Sequence, residues 1–225
     1  VDAPIDNTVP ADNVILRFCD IDLDNIHTIG HSTNADFLSR LNRYAQICTN
    51  DNLYIWDYTV NYKENGVFTS MYSYPDKFEK FAELGVNGYF AENESCINGD
   101  FYDMKLWLMA KLIEDPTQDF DALMDDFLTG YYGAAGTFVG QYLDLMYERV
   151  AASPVKYECD VNTLEANWLS VEDIITADGY FEQAFAAAEG DETLLMRLRH
   201  ARNALDRVIV TNYENYIEKA EEQGI

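Results

Sequence analysis

The stretch LYIWDYTV at residues 53–60 decides the predicted fold, because it is a strand-length run rich in aromatic and β-branched residues. Two more short apolar runs flank it in the sequence, NVILRFC at residues 13–19 and VNGYFA at residues 86–91. Apolar residues at helical spacing fill the two intervals between these runs. Strand, helix, strand, helix, strand in this order predicts parallel strands that are joined by helical crossovers.

Residue types that favour helix starts and helix ends define the limits of the predicted helices between the strands. In the first interval we expect a helix that runs from Asn34, as its N-cap, to Cys48. In the second interval Pro75 opens a short helix and Gly85 ends it. The rest of the chain keeps the helical period, and it predicts helices over 101–115, 120–130, 138–150, 170–188 and 192–221, with a linker at 155–162.

These patterns predict an α/β fold class, namely the C-terminal part of a (β/α) TIM-type barrel with about three parallel strands, followed by an α-helical region. We expect residues 1–100 to form the partial barrel with three strand-helix units. Residues 101–225 are expected to pack on it and to extend as a C-terminal helical bundle. A closed barrel needs about eight such units. The sheet edges must therefore be covered by helices or by another chain.

The chain is strongly acidic. Its 225 residues include 15 Lys and Arg against 40 Asp and Glu, which gives a formal charge of −25. This charge repels phosphate backbones and anionic lipid headgroups, so we expect neither nucleic-acid binding nor a role at a membrane surface. We also expect no membrane insertion, because no window holds the roughly 18 consecutive apolar residues that a membrane span needs. Hydrophobic residues make up 48% of the chain, which is enough for a packed core and excludes a disordered protein.

Cysteine and histidine give little support to a disulfide framework or a metal site. The cysteines lie far apart with no CxxC spacing, so we expect free thiols and leave open a single bridge such as Cys19–Cys48. His27 and His31 follow an acidic loop, but no helical pattern connects them and HExxH is absent, so they are expected to be loop histidines. No phosphate-binding glycine motif occurs either. We predict no metal and no cofactor.

Polar and aromatic side chains occur at the ends of all three predicted strands. In α/β folds ligands gather outside the C-terminal ends of parallel strands, so these side chains are expected at one mouth. Carboxylates and amides bind sugar hydroxyls, and aromatic rings stack on the apolar faces of sugar rings. The predicted substrate-binding residues are Asp20, Trp56, Tyr58, Asn61 and Tyr62.

Glycoside cleavage needs two carboxyl groups, one protonated as the acid and one ionised as base or nucleophile, about 5–9.5 Å apart. Asp57 and Glu92 are the predicted catalytic pair, because they lie at the ends of the second and third strands, and Asp20 is a further candidate. Any one acidic residue in a chain with 40 of them is more often solvated or a helix cap than catalytic. Acidic and aromatic residues together at all three strand ends favour the presence of a ligand site, but they do not indicate which reaction, if any, takes place there.

Several phrases resemble a known family in the right order: VILRFCDI at 14–21, LYIWDYTVNY at 53–62, LGVNGYF at 84–90, the segment 106–116, and DDFLTGYYG at 125–133. They are similar to motifs of domain of unknown function 4838, a bacterial family of glycoside-hydrolase-like barrels. The resemblance covers roughly residues 13–147 and, more weakly, 170–210. At residues 89–92 the phrase YFAE departs from the Gly-containing phrase of the family.

The resemblance implies a barrel whose first strands lie upstream, in carbohydrate-related proteins that are secreted or at the bacterial cell surface. It implies a distant similarity to α-glucuronidase and hexosaminidase barrels, although the family carries no agreed activity. The partners that it leaves open are a glycan or oligosaccharide, an upstream barrel domain of the same parent chain, and a self-associating copy. The positions that match motif residues of the pocket are Asp20, Trp56, Asp57, Asn61, Tyr62 and Glu92.

Three functions are compatible with these observations. The leading hypothesis is a glycoside-hydrolase-like domain that contacts a glycan at its strand ends and is incomplete for catalysis alone. The second is a noncatalytic glycan-binding module, which needs an exposed ring face at Trp56, Tyr58 or Tyr62. The third is a helical interaction domain in which residues 101–225 carry the function. Whether the chain is an enzyme stays open, and the sugar and its linkage cannot be inferred.

Overall fold

The structure is a computed structural model that describes residues 8–48, 51–63, 66–93, 99–153, 155–165 and 168–225. The strands within these residues are β1 (Leu16–Cys19), β2 (Leu53–Tyr58) and β3 (Gly88–Glu92). The helices are α1 (Ala35–Ile47), α2 (Tyr74–Glu83), α3 (Tyr102–Glu114), α4 (Phe120–Tyr132), α5 (Gly136–Ala151), α6 (Val171–Ala187), α7 (Glu192–Thr211) and α8 (Tyr213–Gln223). The chain is therefore mixed α/β, as the sequence predicts.

The three strands form one parallel sheet in the order β1-β2-β3, which confirms the predicted parallel arrangement. Phe18 lies opposite Ile55, and Ile55 lies opposite Tyr89. Because side chains alternate along a strand, this register assigns each strand residue to one of two faces. The covered face carries Phe18, Ile55, Asp57 and Tyr89, and the open face carries Arg17, Trp56, Tyr58, Phe90 and Glu92.

Helices α1 and α2 pack on the covered face. The ring of Phe18 contacts Phe37 of α1 with centroids 5.5 Å apart, and the ring of Tyr89 contacts Phe78 of α2 at 5.4 Å. Phe18 and Ile55 are buried completely. Each such side chain contributes about 1.5–3 kcal/mol when it is fully buried. The interior of this half of the molecule therefore lies between the sheet and these two helices.

The helices after the sheet pack on one another through α4, α5 and α6. Gly136 at the start of α5 permits a close approach to α4, because a Cβ at this position would lie 2.6 Å from the carbonyl oxygen of Leu128. One hydrophobic cluster extends from Phe18 in the sheet to Val208 in α7. Among the described residues, no helix has the length and the apolar composition that crossing a membrane requires.

Two predicted helix ends are wrong. Helix α4 continues past Gly130 and ends before Gly133, whose φ of +52° is a conformation that glycine adopts readily. The single helix predicted over 192–221 is two helices, α7 and α8, which meet at Asn212. The amide of Asn212 donates to the carbonyl oxygen of Leu164 at 2.7 Å, and this tertiary contact accompanies the break.

The residues that bound the first two helices have different outcomes. Pro75 lies in the first turn of α2 and Gly85 follows its end with a φ of +72°, as predicted. Asn34 stands at the N-cap position of α1 but makes no capping hydrogen bond. Its buried amide instead donates to the carbonyl oxygen of Asp24 at 3.1 Å and accepts from the Asp24 N–H at 2.8 Å. Asn34 therefore fixes the loop after β1 rather than the helix end.

Candidate functional site

Most of the predicted site residues lie in two separate places at the strand ends. Asp20 and Asp57 are buried on the covered side, at 1% and 0% exposure. Trp56 and Tyr58 are half-buried on the open face, and Tyr62 beside them is 47% exposed. The strand ends therefore form one buried group and one accessible group of side chains rather than a single mouth.

The buried charge cluster consists of Asp20, Asp57, Lys77 and Tyr89. Lys77 Nζ of α2 lies 2.6 Å from Asp57 Oδ2, and the hydroxyl of Tyr89 donates to the same oxygen at 2.5 Å. The backbone N–H of Tyr58 donates to Asp20 Oδ1 at 2.7 Å. These contacts tie the ends of β1, β2 and β3 to helix α2.

Burial perturbs the titration of this cluster. Desolvation raises the pKa of Asp20 well above its ordinary value, and the charge of Asp57 and a hydrogen bond with its side chain raise it further. The nearby Lys77 ammonium opposes this effect only in part. Burial and the charge of Asp57 likewise raise the pKa of Tyr89. The phenol of Tyr89 therefore stays protonated and acts as a hydrogen-bond donor.

Lys77 and Tyr89 are cluster members that the sequence analysis missed. Lys77 lies three residues after Tyr74 and four before Phe81, so it falls on the apolar stripe of α2. A lysine on that stripe is a signal for a buried ion pair, since lysine is almost never fully buried without a partner. Tyr89 could have been assigned to the covered face by strand alternation, but only once the register was known.

The open-face aromatic group consists of Trp56, Tyr58, Tyr62 and Phe90. The ring centroids of Trp56 and Phe90 are 4.8 Å apart, edge to face, and those of Trp56 and Tyr58 are 6.2 Å apart and nearly parallel. The ring of Tyr62 meets Tyr58 edge-on at 6.3 Å. The guanidinium carbon of Arg17 lies 5.4 Å from the Trp56 ring centroid. Four rings and one cation thus form a continuous, partly accessible surface.

Glu92 connects two members of this group. Its Oε2 accepts a hydrogen bond from Trp56 Nε1 at 2.8 Å, and its Oε1 accepts one from the hydroxyl of Tyr62. Burial and the hydrogen bond to Glu92 raise the pKa of Tyr62 above its ordinary value, so the phenol donates at physiological pH. Because both of its oxygens are engaged, Glu92 orients the two rings.

The predicted pairing of Asp57 with Glu92 is wrong in geometry. Asp57 lies opposite Ala91 in the register, and Glu92 lies opposite Tyr58. Their side chains therefore leave the sheet on opposite faces, Asp57 toward Lys77 and Glu92 toward the open face. Two carboxyl groups on opposite faces of a sheet cannot act on one glycosidic bond. A catalytic role for either one alone stays a prediction.

The other predicted residues lie outside both groups. The side-chain amide of Asn61 is buried and donates to the carbonyl oxygen of Val161 at 2.8 Å, so it fixes a loop. His27 Nδ1 lies 2.7 Å from Asp24 Oδ2, and the His27 and His31 rings stack at 4.3 Å. In the described ranges, no group of three or more His, Cys, Asp and Glu side chains is suited to a metal ion.

The described cysteines, Cys19, Cys48 and Cys159, are free thiols, so the bridge between Cys19 and Cys48 is absent. Cys96 lies outside the described residues. Burial raises the pKa of the Cys159 thiol to about 11, and it also raises the pKa of the other two thiols. A raised pKa favours the protonated thiol, which is a poor nucleophile.

A separate cavity of about 500 Å³ is formed by the end of α5 and residues that follow it. Its lining includes Arg149 at the end of α5, Tyr157, Glu165 and Trp168. Arg149 is already engaged, because its Nε donates to Asp173 at 2.8 Å. The cavity is a further place with aromatic side chains, and the indole N–H signal of Trp168 can detect a ligand there independently of Trp56.

Comparison with known proteins gives one relationship. Neither the curated proteins nor the solved structures contain a match to this chain. The family described as domain of unknown function (DUF4838) matches residues 1–144, which include all three strands and helices α1 to α4. The chain belongs to this DUF4838 family.

Proposed function

We propose that the chain contacts a glycan with the open face of its sheet and does not hydrolyse it alone. The observation that carries the proposal is the open-face aromatic group, whose rings are held by Glu92 and flanked by Arg17. Aromatic rings cover the apolar faces of sugar rings, while charged and hydroxyl groups bind the sugar hydroxyls.

The contacts of Glu92 favour recognition over chemistry. A general acid or nucleophile needs an oxygen that reaches the scissile bond, whereas both oxygens of Glu92 accept hydrogen bonds from ring donors. A carboxylate has about four lone-pair sites, so Glu92 keeps the capacity to accept hydrogen bonds from sugar hydroxyls as well. We therefore assign Glu92 to orientation of the rings and to sugar contact.

We also propose that the sheet is the C-terminal part of a (β/α) barrel. Three features support this. The strands are parallel and follow one another in chain order. Helices cover one face, as on the outside of a barrel, and the other face is open. Within the described residues β1 and β3 each have one strand partner. Barrel strands from the same parent protein would cover the open face as the barrel interior, and they would leave Tyr58, Tyr62 and Glu92 near the C-terminal strand ends, at the mouth where such folds bind ligands.

The proposal also bears on the activity and the location of the parent protein. A glycoside hydrolase-like activity would need carboxyl groups from other barrel strands, because the side chains of Asp57 and Glu92 lie on opposite faces of the sheet. A secreted or cell-surface location fits a protein that binds glycans. The alternative of a helical interaction domain has a smaller basis, the exposure of Val210 and Tyr213 at the junction of α7 and α8, which are 75% and 59% exposed.

A glycan array followed by affinity measurements tests the proposal. For any glycan that the wild-type chain binds, Tyr62→Ala is expected to weaken binding about tenfold, which corresponds to about 1.4 kcal/mol. The matched control is Tyr213→Ala, since both tyrosines are exposed and only Tyr62 belongs to the open-face aromatic group. Equal affinities of the two variants, or no glycan bound by the wild-type chain, would contradict the proposal.

A further inference from the structure

The buried charge cluster has an unbalanced formal charge. Asp20, Asp57 and Lys77 are each at most 1% exposed. Two ionised carboxylates beside one ammonium would leave one net negative charge in the interior. An uncompensated buried charge is far more costly than a buried pair, so a further positive species must neutralise the cluster.

Lys77 is the cation among the groups that act most strongly on Asp20. The other described titratable groups whose electrostatics involve Asp20 or Asp57 are the phenols of Tyr58 and Tyr89 and the thiols of Cys19 and Cys159. Phenols and thiols are neutral when protonated, so they cannot balance a carboxylate. The ammonium of Lys77 is itself committed, because it lies 2.6 Å from Asp57 Oδ2 and 5.1 Å from the Tyr74 ring centroid.

The hydrogen bonds of the two carboxyl groups indicate where the positive species lies. Asp57 Oδ2 contacts Lys77 and Tyr89, and Asp20 Oδ1 accepts the N–H of Tyr58. The other two oxygens, Asp20 Oδ2 and Asp57 Oδ1, are buried and receive no donor from the described residues. Two carboxylate oxygens repel each other unless a proton lies between them.

We propose that Asp20 and Asp57 share one proton in the folded protein, held between Asp20 Oδ2 and Asp57 Oδ1, so that the buried charge cluster is neutral. The proton comes from water as the chain folds, and it forms an O–H bond on one carboxyl group and a hydrogen bond to the other. The raised pKa of Asp20, caused by burial and then by Asp57, agrees with this arrangement.

The shared proton has a structural consequence. A shared proton removes the repulsion between the two carboxylates, so Asp20 can lie beside Asp57 while it accepts the N–H of Tyr58. Asp20 is therefore a positioning residue for the end of β2, where the open-face aromatic group is attached. This inference does not depend on a glycan, because the proton is a property of the folded chain alone.

Infrared difference spectroscopy between native and urea-unfolded protein at pH 7 tests the proposal directly. Protonated carboxylic acids have a C=O stretch that ionised carboxylates lack, and every carboxyl group of the unfolded chain is ionised at this pH. We expect one carboxylic-acid band in the native protein and none after unfolding. Labelling aspartate with ¹³C in the otherwise unchanged protein must shift this band.

Two variants locate the proton. Asp20→Asn is expected to abolish the band, because the variant lacks one of the two carboxyl groups that share the proton and leaves Asp57 paired with Lys77. The control Asp103→Asn is expected to keep it, since Asp103 accepts a hydrogen bond from Tyr131 at the surface. A native protein without the band, a band that ¹³C-aspartate does not shift, or a band that persists in folded Asp20→Asn would overturn the proposal. The first two outcomes need no variant to fold.

Discussion

The two faces of the sheet are built from the same three strands and use their polar residues in opposite ways. On the covered face Asp57 and Lys77 are buried and the half-buried Tyr89 donates to Asp57, and these contacts tie the sheet to α2. On the open face Glu92 also holds two partners, but these are half-buried or exposed rings at the surface. The two carboxylates differ in burial, and we therefore assign Asp57 to stability of the fold and Glu92 to the arrangement of a surface.

This comparison predicts that substitutions on the covered face cost stability and that those on the open face cost binding. The largest effect is expected for Lys77→Met, which leaves the buried carboxyl pair without its cation. The free energy of unfolding should fall by about 3–5 kcal/mol. Urea denaturation measures it. The control is Lys80→Met on the same helix, whose exposed pair with Glu83 is worth about 0–1 kcal/mol. Similar losses in both variants would contradict the role of the cluster.

Removal of the Tyr89 hydroxyl should have the next largest effect. Tyr89→Phe takes a hydrogen-bond donor from buried Asp57, and hydrogen bonds to charged groups contribute about 1.5–3 kcal/mol. Tyr131→Phe is the matched control, because the Tyr131 hydroxyl donates to Asp103 at the surface. Thermal or urea unfolding should separate the two variants. A loss in Tyr131→Phe as large as that in Tyr89→Phe would show that burial does not decide the cost.

The pH dependence of stability should change with Asp20. Because its folded-state pKa is raised, the folded protein keeps a proton that the unfolded chain loses above about pH 4. This contribution is fully present below that pH, and it is lost as the pH rises toward the folded-state pKa. The slope is at most about 1.4 kcal/mol per pH unit. Urea denaturation at a series of pH values gives the free energy of unfolding of the wild-type chain and of Asp20→Asn. The difference between the two free energies should fall with rising pH at this slope, and a difference independent of pH would contradict the prediction.

The smallest effect on stability is expected on the open face. Glu92→Gln removes a carboxylate whose partners are partly solvated, so the free energy of unfolding should change by less than about 1 kcal/mol. Urea denaturation of this variant beside Lys77→Met gives the contrast. A loss for Glu92→Gln as large as that for Lys77→Met would mean that both faces support the fold.

Much of the fold could be predicted from the sequence, because local patterns determine it. The parallel strands follow from apolar runs separated by helical spacing, and Pro75 and Gly85 bound α2 through their own backbone preferences. The break at Asn212 was not predictable, since it accompanies a contact with residue 164 that no local pattern contains.

The site was predictable in composition but not in arrangement. The residue types at the strand ends follow from the sequence, but the faces of Asp57 and Glu92 depend on the register between β2 and β3. A Cβ on Gly88 would lie 2.2 Å from ring atoms of Tyr54, so a larger residue at position 88 would force this ring to move. Such a long-range fit cannot be deduced from the spacing along one chain.

In the proposed function the open face is the ligand surface, and the indole N–H signals of the tryptophans test this assignment in one titration. Trp56 lies on the open face, Trp107 in α3, and Trp168 in the separate cavity. When a glycan that the chain binds is titrated in, the chemical shift of the Trp56 ¹H–¹⁵N signal should change, because its indole N–H is hydrogen-bonded to Glu92. The chemical shifts of Trp107 and Trp168 should stay unchanged. Movement of the Trp168 signal with an unchanged Trp56 signal would contradict the assignment.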